Sequence, residues 1–565
     1  MAAVERPGYA ALVRRHRQAV LLSVCLVVLI GLPLWWTTTR VYRAQLPLAS
    51  IRRWTEQATP TAVRWPIQVH LQLPDPSAWS AAPLNTTRLG LAVADATQAS
   101  LVARREPGPA ANTTQGPLAV QLDVQVTASI GSRSVKPPDH HAQSKKRSPA
   151  ITIRLHALDD APLPPEPTQP KVRIDSTTTT VDMWVPLSLA THEALVRWIG
   201  HLITALLADH ERTLNALAAK RTDHQLPHLR QELQRTVHHT SHYQLTFSLL
   251  HADSTAVTLD WAIAEGLDQA IRPLLAQLKG ILDFTVDSQV QHYAPLALTP
   301  TLVTNSANDK GPSLTNAPHK PYYALTPAML PHFVNAQDWN LASTETTRPL
   351  LNFITYVPSE PLAPLHLLTA SGDPAPLNAF VIPRWGGVVV HNLLSSSTAT
   401  TAAPPKHTLT ADELTPVLQV FLAQLRQLLG ITDPIHAAQR ELATHFTVAY
   451  DPSTATGLTE WELIALLSKR SVHQVAEAIS TLHSFQQVVA SMPNMVILDT
   501  IRDKAVQSLQ RLDAFTTHMA QGQLRAAYSD ATQALVLAES AFFDPTILAL
   551  LYFPDEHKYG VYMPL

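Results

Sequence analysis

The segment that organises this chain reads QAVLLSVCLVVLIGLPLWWTTT, Gln18–Thr39, and it contains no charged residue. At about 1.5 Å per residue, a helix of this length spans roughly the 30 Å hydrocarbon core of a bilayer. Trp35 and Trp36 fall where an interfacial aromatic belt would lie. Pro33 is tolerable in a bilayer helix, because neighbouring groups can satisfy the freed carbonyl. The segment therefore predicts a transmembrane helix over 18–39, preceded by a cytosolic tail at 1–17.

A cleaved secretory signal is the alternative, since arginines followed by an apolar core also fit a signal peptide. The apolar run is long for such a core, and it ends in Trp and Thr rather than in a small-residue cleavage motif. A retained anchor is therefore favoured. Charge does not set the side of the membrane on which the remaining chain lies, because four arginines precede the segment and four follow it closely.

Composition indicates a large folded protein. The 565 residues are 46% hydrophobic and 15% charged with a net charge of −2, so a sizeable core is expected and nothing favours nucleic-acid binding. The one cysteine, Cys25, lies in the apolar segment, so the rest of the chain cannot form an internal disulfide. Two Asn-Thr-Thr sequons, at Asn85 and Asn112, would be N-glycosylation acceptors if this part of the chain is lumenal.

Hydrophobic periodicity predicts strands and helices in alternation after the anchor. Period-two patterns predict strands near residues 67–73, 118–126, 151–155, 181–185, 243–250, 258–261, 284–290, 350–357 and 388–391. The strand at 258–261 is expected to continue the one at 243–250 after a turn. Helical spacing predicts helices beginning near Thr191, over 267–278 with a break at Pro273, and over 417–429 with Gly430 as its cap. Residues 74–116 and 295–348 are rich in Pro, Thr, Ala or Asn and are predicted to be mostly irregular.

The C-terminal part is predicted to be almost entirely helical, over 459–491, 499–521 and 523–543. The expected fold class is α/β in the mixed α+β sense, with a single N-terminal transmembrane helix. We expect a mixed-sheet domain with packed helices and proline-rich loops over 40–457, followed by a helical region over 458–565.

Motifs for catalysis, cofactor binding and metal binding are absent. The sequence contains no G-x-S-x-G, phosphate-loop, G-x-G-x-x-G or H-E-x-x-H pattern, and no thiol outside the apolar segment. His238, His239 and His242 lack an acid or thiol at ligand spacing, so a solvated helix end is favoured over a metal site. Asp283 and Asp287 share one strand face, and a solvent-facing position is favoured over an acid–base pair. We expect no catalytic residue, no cofactor and no metal.

The most distinctive segment is NAFVIPRWGGVVVHN, residues 378–392. Gly386 and Gly387 would let the backbone approach another surface closely, beside the guanidinium of Arg384 and the ring of Trp385. A β-bulge leading into a buried strand is the favoured alternative. In either case these four residues are predicted to form a packing or interface element rather than a catalytic one.

A series of segments spread along the chain resembles one known family. They are GLPLWWTTTRVYRAQLP from Gly31, YQLTFSLL from Tyr243, FTVDSQV from Phe284, LNFITYVP from Leu351, NAF from Asn378 with PRWGG from Pro383, VFLAQLRQLLGI from Val420, TEWEL from Thr459 and AFFDPTILALLYFPDEHKYGVYMPL from Ala541. Together they resemble the PIG-S family, the S subunits of the glycosylphosphatidylinositol (GPI) transamidase complex. Residues 74–180 and 295–348 resemble that family poorly.

The resemblance implies an endoplasmic reticulum membrane protein with its bulk in the lumen, in a complex that replaces a proprotein's C-terminal signal with a GPI anchor. It also implies that the cysteine protease-like nucleophile lies on another subunit, so this chain would be an accessory subunit that meets proprotein and GPI lipid indirectly. A membrane-tethered enzyme acting on glycan or lipid is the alternative. The family carries a second membrane helix after its YMPL-like segment, whereas this sequence stops at Leu565. Either the chain is truncated there or this version has lost its second anchor, and truncation is the favoured interpretation.

Overall fold

The protein is described from a computed structural model. The structure describes residues 7–39, 43–55, 61–74, 86–105, 118–130, 150–158, 169–175, 177–186, 191–219, 227–237, 240–255, 257–303, 321–334, 339, 341, 348–393, 406–450, 457–492 and 495–549. Two compact units are present. The smaller comprises 1–59, 474–514 and 530–565, and the larger comprises 60–473 and 515–529.

The larger unit contains the sixteen strands found in the described ranges. They are β1 (Thr61–Leu73), β2 (Leu118–Ile130), β3 (Ala150–Leu158), β4 (Lys171–Ile174), β5 (Thr180–Pro186), β6 (His242–His251), β7 (Thr258–Trp261), β8 (Asp283–His292), β9 (Thr301–Val303), β10 (Tyr322–Leu325), β11 (Leu350–Val357), β12 (Leu365–Leu367), β13 (Ala379–Ile382), β14 (Gly386–Val390), β15 (Lys406–Leu409) and β16 (Thr447–Tyr450). They form a six-stranded sheet in the order β16-β4-β5-β3-β1-β2, a five-stranded sheet in the order β13-β14-β11-β6-β8, and smaller sheets β12-β10-β9 and β15-β7.

The helices of the two units complete a mixed α/β fold, which confirms the predicted fold class at that level. They are α1 (Pro7–Thr39), α2 (Leu48–Thr55), α3 (Thr86–Arg105), α4 (His192–Ala218), α5 (Pro227–Arg235), α6 (Ile263–Ala270), α7 (Arg272–Leu278), α8 (Ala411–Leu428), α9 (Pro434–Leu442), α10 (Glu460–Ser491), α11 (Asp499–Ala520), α12 (Leu524–Phe542) and α13 (Pro545–Ala549), with 3₁₀ turns at Leu330–His332 and Glu360–Leu362. The predicted helix near Thr191 and the three C-terminal helices are confirmed.

The six-stranded sheet is built around β1, which pairs in parallel with β2 and β3. Val63, Trp65, Ile67, Val69 and Leu71 alternate with less buried neighbours and are each at most 4% exposed. This alternation is the period-two pattern expected of a strand that buries one face more deeply than the other. The sequence-based strand prediction is therefore confirmed here.

The prediction of irregular structure over 74–116 is wrong for residues 86–105, which form α3. Leu89, Val93, Thr97 and Leu101 recur every four residues and are buried. The pattern is inconspicuous because the intervening positions are mostly Ala with Asp, Gln and Ser, which lower the overall hydrophobicity of the helix. Four apolar or buried positions on one stripe are enough to pack the helix against a sheet.

The five-stranded sheet has four parallel strands, β14, β11, β6 and β8, and antiparallel β13 at one edge. Nearly every residue of β6 and β11 is buried, as expected of a parallel strand covered on both faces. Phe247 stacks on Phe353 with ring centroids 5.2 Å apart, and Phe421 of α8 packs against both rings. Gly430 follows α8 with φ +72°, so the predicted glycine cap is confirmed.

Two further expectations need correction. The stretch 295–348, predicted to be mostly irregular, is so in most of its described residues, but it also contains the short strands β9 and β10, which pair with each other and, through β10, with β12. Trp339 and Phe333 from the same stretch are at most 1% exposed and pack in the core beside Tyr356. Strand β7 does not extend β6, because it pairs in parallel with β15. Short strands whose partners lie far away in sequence leave little local periodicity.

The smaller unit is helical in the part of it that the structure describes. Ile51 and Trp54 of α2 are buried, and the backbone N–H of Ala44 donates to the carbonyl of Ile497 over 2.9 Å. The Ser508 hydroxyl donates to the carbonyl of Ala534 over 2.7 Å, which joins α11 to α12. The expected domain boundary near 457 stays a prediction.

The predicted helix over 18–39 forms part of α1. Taking only the residues that can be described, the protein has no helix with both the length and the apolar character needed to cross a membrane.

Candidate functional site

The carboxyl-terminal edge of the five-stranded sheet brings together one serine and two histidines, which are side chains able to take part in catalysis. Ligand sites in open α/β sheets lie outside the carboxyl ends of parallel strands. His251 ends β6 and His292 ends β8, and the two are partners in the strand register. The hydroxyl of Ser254 lies between them, 3.1 Å from Nδ1 of His251 and 3.0 Å from Nδ1 of His292.

This serine–histidine cluster lacks the remaining parts of a nucleophilic site. Burial, and secondarily the charge of His292, lowers the pKa of His251 below its ordinary value. A serine nucleophile also needs an acid that orients the base and donors that stabilise an oxyanion. The neighbouring Asp253 instead accepts a hydrogen bond from the backbone N–H of Thr255 over 2.9 Å. Ser254 has one proton, so one imidazole accepts it and the other donates to the hydroxyl oxygen, which leaves a satisfied polar bridge.

The predicted packing element lies in the hairpin between β13 and β14. Arg384 occupies its turn with φ +62°, and its guanidinium donates from Nη2 to the carbonyl of Leu233 over 3.3 Å. Its backbone N–H donates to the carbonyl of Arg235 over 3.1 Å. Trp385 is partly buried against the core cluster that includes Val388. These contacts bind the hairpin to the segment around α5.

The two glycines of this hairpin make close contacts within the chain. A Cβ atom on Gly386 would lie 1.8 Å from the carbonyl oxygen of Asn352 on β11. A Cβ atom on Gly387 would lie 1.9 Å from Oε1 of Gln424 on α8. Nε2 of the same Gln424 donates to the carbonyl of Phe380 over 3.1 Å. The surfaces that lie close to the two glycines are therefore strand β11 and helix α8 of this protein. An interface role for Arg384 and Trp385 stays a prediction.

Replacing Gly387 with alanine should destabilise the larger unit by about 1–3 kcal/mol, because the added methyl group overlaps the buried amide of Gln424. In the double variant Gly387→Ala/Gln424→Ala the overlap is gone, so the two losses should be non-additive by about 1 kcal/mol. Urea denaturation followed by circular dichroism measures these differences. Gly280→Ala is the matched control, since Gly280 has φ +85° and open space around its Cβ position. Its effect should add to that of Gln424→Ala, and additivity for Gly387→Ala as well would contradict this packing.

The other residues singled out in the sequence are not brought together. Asn85, Asn112, His238 and His239 lie outside the described residues. His242 is about half exposed, and its Nδ1 lies 3.6 Å from Oδ2 of Asp283, the residue opposite it in the strand register. Asp287 accepts a hydrogen bond from Gln244. Across the described ranges, no group of three or more His, Cys, Asp or Glu side chains is arranged to hold a metal ion.

An apolar cavity of about 40 Å³ lies in the larger unit between Trp65, Trp461 and His210 of α4. The Ser468 hydroxyl donates to the carbonyl of Ile464 over 2.8 Å, so its oxygen accepts the Nε2–H of His210 over 2.9 Å. Burial, and secondarily the charge of Lys469, lowers the pKa of His210 to about 3. The sequence did indicate that His210 faces the core, because it lies three and four residues after Leu207 and Leu206, which are buried on the same helix.

The neutral His210 should make stability depend on pH. Its pKa lies below the unfolded value of about 6.5, so its contribution is complete above pH 6.5 and is lost as the pH falls towards 3. Between pH 7.5 and 5.5 the native protein should lose about 1.4 kcal/mol more stability than His210→Gln, which cannot be protonated there. Chemical denaturation at the two pH values measures this. His332→Gln, at an exposed position, should keep the full pH dependence; an unchanged dependence in His210→Gln would be inconsistent with a buried neutral ring.

These features define a large mixed α/β protein with a helical second unit, in which the polar groups that can be placed serve mainly to hold strands and helices together. The chain belongs to the family described as phosphatidylinositol-glycan biosynthesis class S protein, whose pattern it matches over residues 22–565.

Several relatives share the full length of that match. The human "GPI-anchor transamidase component PIGS" is 29% identical to this chain over 576 aligned positions, covering 98% of this chain and 92% of the human protein. The protein of the same name from Rattus norvegicus is 28% identical over 569 positions, with the same coverage. The Saccharomyces cerevisiae "GPI transamidase component GPI17" is 22% identical over 334 positions, covering 57% of this chain and 54% of the yeast protein.

Proposed function

We propose that this chain is a non-catalytic subunit of a GPI transamidase complex, in which it supports the attachment of GPI anchors to proprotein C-termini. The observation that carries the proposal is the match to proteins named as GPI-anchor transamidase components over 98% of this chain. A match of that extent includes both units of the structure. The proposed partners are the other subunits, including one that bears a cysteine protease-like nucleophile.

The absence of a catalytic role is supported by the chemistry of the side chains that can be placed. The one cysteine, Cys25, lies in the apolar segment of α1. The serine–histidine cluster at Ser254 has no orienting acid in the described part of the chain, because Asp253 bonds to its own loop. A chain of this kind would act by holding other subunits or the proprotein in position.

Helix α1 is proposed to anchor the chain in the endoplasmic reticulum membrane, with the bulk of the chain in the lumen. Nine Val, Leu and Ile side chains between Val20 and Ile30 are each at least 50% exposed. Exposing so much contiguous apolar surface to water is unfavourable, and a bilayer core would remove it from water. Gln18–Thr39 is also free of charged residues in sequence. In the lumen, Asn85 and Asn112 would be accessible to N-glycosylation.

Cells that lack this protein should accumulate unprocessed GPI proproteins and display no GPI-anchored reporter, and expressing the chain should restore both. Immunoblotting of the proprotein and flow cytometry of the reporter measure the two effects. The chain purified alone should show no transamidation. Normal reporter display without the protein would refute the proposal, and turnover by the isolated chain would refute the non-catalytic assignment.

The same cells separate the anchor from the subunit role. Leu26→Arg/Val27→Arg places two charges in the apolar segment, so the chain should become extractable by alkaline carbonate, whereas Leu26→Ala/Val27→Ala should stay with the membrane. Asn85→Gln/Asn112→Gln should abolish the mobility shift produced by endoglycosidase treatment if the bulk is lumenal. A carbonate-resistant arginine variant or the lack of any glycosidase shift would count against this topology.

A further inference from the structure

Strand β8 lies at one edge of the five-stranded sheet, and its outer side has no partner strand in the described part of the chain. It pairs with β6, from His242 opposite Asp283 to His251 opposite His292. The backbone N–H of Asp283 donates to the carbonyl of Ser241 over 2.8 Å, so the odd-numbered residues of β8 turn their backbone groups towards β6. The even-numbered residues turn their N–H and carbonyl groups outward. They are Phe284, Val286, Ser288 and Val290.

The middle of this outer edge faces solvent. Val286 is 39% exposed, and the neighbouring Asp287 and Ser288 are exposed as well. Among the described residues, no hydrogen bond joins the outward backbone groups of β8 to another part of the chain. An exposed strand edge with unpaired N–H and carbonyl groups is a template on which a second polypeptide can pair through main-chain hydrogen bonds.

Strand β8 carries none of the features that usually keep an edge strand from pairing. Such strands are typically short, or they contain a proline, a lysine or a bulge. β8 is 10 residues long, DFTVDSQVQH, and contains no Pro, Lys or Arg. Its register with β6 runs without a bulge over the whole strand. By contrast β13 and β16, which also end a sheet, have 4 residues each.

The other long edge strand, β2, is closed by amide side chains of the same chain. Asn215 of α4 accepts from the backbone N–H of Val120 over 2.8 Å and donates to the carbonyl of that residue over 3.0 Å. Gln98 of α3 donates to the carbonyl of Leu122 over 3.4 Å and accepts from the N–H of Val124 over 3.5 Å. These amides occupy the backbone groups that a further strand would need. The outer edge of β8 has no such closure in the described ranges.

The side chains of β8 indicate which kind of strand fits beside it. Its even-numbered residues are mostly apolar and lie on the face covered by α8, because Ser288 is opposite Phe247. Its odd-numbered residues include Thr285, Asp287 and Gln289, so the other face is polar. Side chains directly opposite each other on paired strands lie on the same face, about 4.5–5.5 Å apart. A partner strand should therefore alternate apolar and polar residues in the same way.

The charge of β8 favours a basic partner. The Asp287 carboxylate accepts a hydrogen bond from the neutral amide of Gln244 and forms no salt bridge in the described part of the chain. A Lys or Arg opposite Asp287 would supply the missing positive charge. A second copy of β8 fits less well, because it brings Asp283 and Asp287 and no basic residue.

We propose that β8 is a docking strand, which adds an extended segment of another polypeptide to the five-stranded sheet. The segment alternates apolar and polar side chains and places a Lys or Arg opposite Asp287. Its backbone bonds to the outward groups of β8, and its apolar side chains cover Val286. The inference rests on the proposed function, since the partner is another chain of the transamidase complex.

Residue-resolved hydrogen exchange, measured by mass spectrometry, tests this pairing. The full chain purified alone is compared with the same chain in the complex recovered from cells. In the chain alone, the outward amides of Val286 and Ser288 should exchange rapidly, whereas those of Thr285 and Asp287, which bond to β6, should exchange slowly. In the complex the outward amides should exchange at least about tenfold more slowly than in the chain alone.

Two substitutions at one position separate backbone pairing from side-chain contact. Val286→Pro removes an outward N–H and leaves the bonds to β6 in place, so in the complex the amide of Ser288 should lose its protection. Val286→Ala keeps that N–H and should keep the protection. In both variants the amide of Asp287 should stay slow, which shows that the sheet is intact. The comparison of the native chain alone with the native complex does not depend on either variant.

A third substitution tests the charge of the partner. Asp287→Asn keeps an oxygen that can accept from Gln244 and removes the negative charge. At low salt it should weaken the protection of the outward amides, and it should make that protection less sensitive to added sodium chloride than in the native complex. Protection equal to the native at every salt concentration would overturn the assignment of a basic partner.

The docking proposal alone is overturned if the chain is recovered with other transamidase subunits and its outward amides exchange as fast as in the chain alone. It is also overturned if Val286→Pro keeps the protection. Protection in the purified chain that rises with its own concentration would show pairing between two copies instead. Recovery of the chain without any transamidase subunit would overturn both this proposal and the proposed function.

Discussion

The larger unit depends on the burial of two adjacent parallel strands, β6 and β11. They pair along the full length of β11, from Leu350 opposite Gln244 to Val357 opposite His251. Because both faces of these strands are covered, each polar group on them must find a partner within the protein or stay unsatisfied at a cost. The phenyl rings of Phe247 and Phe353 set the spacing to α8, and the hairpin glycines let Gln424 of that helix reach the strand backbone. The presence of glycine at positions 386 and 387 is therefore explained by close packing at the centre of the sheet.

Local periodicity predicted the long elements of this fold well. Alternation located β1, β2, β6 and β11, and helical spacing located the three C-terminal helices to within one residue at each end. Periodicity failed where the signal was diluted or short. In α3 the buried Leu89, Val93 and Leu101 are separated mostly by small and polar residues, and β9 has only three residues in a proline-rich context. Both elements are stabilised by partners distant in sequence, which a local pattern cannot indicate.

The grouping of side chains that could take part in catalysis or binding was harder to predict than the fold, because it depends on the register in which strands pair. His251 and His292 are adjacent only because β6 and β8 pair with those residues opposite each other, and Ser254 reaches both from the following loop. The amide of Gln424 contacts Phe380, 44 positions earlier. Paired glycines were the one signal visible in sequence, since a missing side chain at two successive positions indicates close approach.

If this chain supports GPI attachment without performing chemistry itself, the hydroxyl of Ser254 between His251 and His292 must be dispensable for that function. Cells lacking the protein would be complemented with Ser254→Ala and with the native chain at matched protein levels, and display of a GPI-anchored reporter would be measured by flow cytometry. The account predicts equal display, because the Ser254 hydroxyl only bridges two imidazoles at the ends of β6 and β8. Loss of display by Ser254→Ala, with the complex still recovered intact, would contradict it.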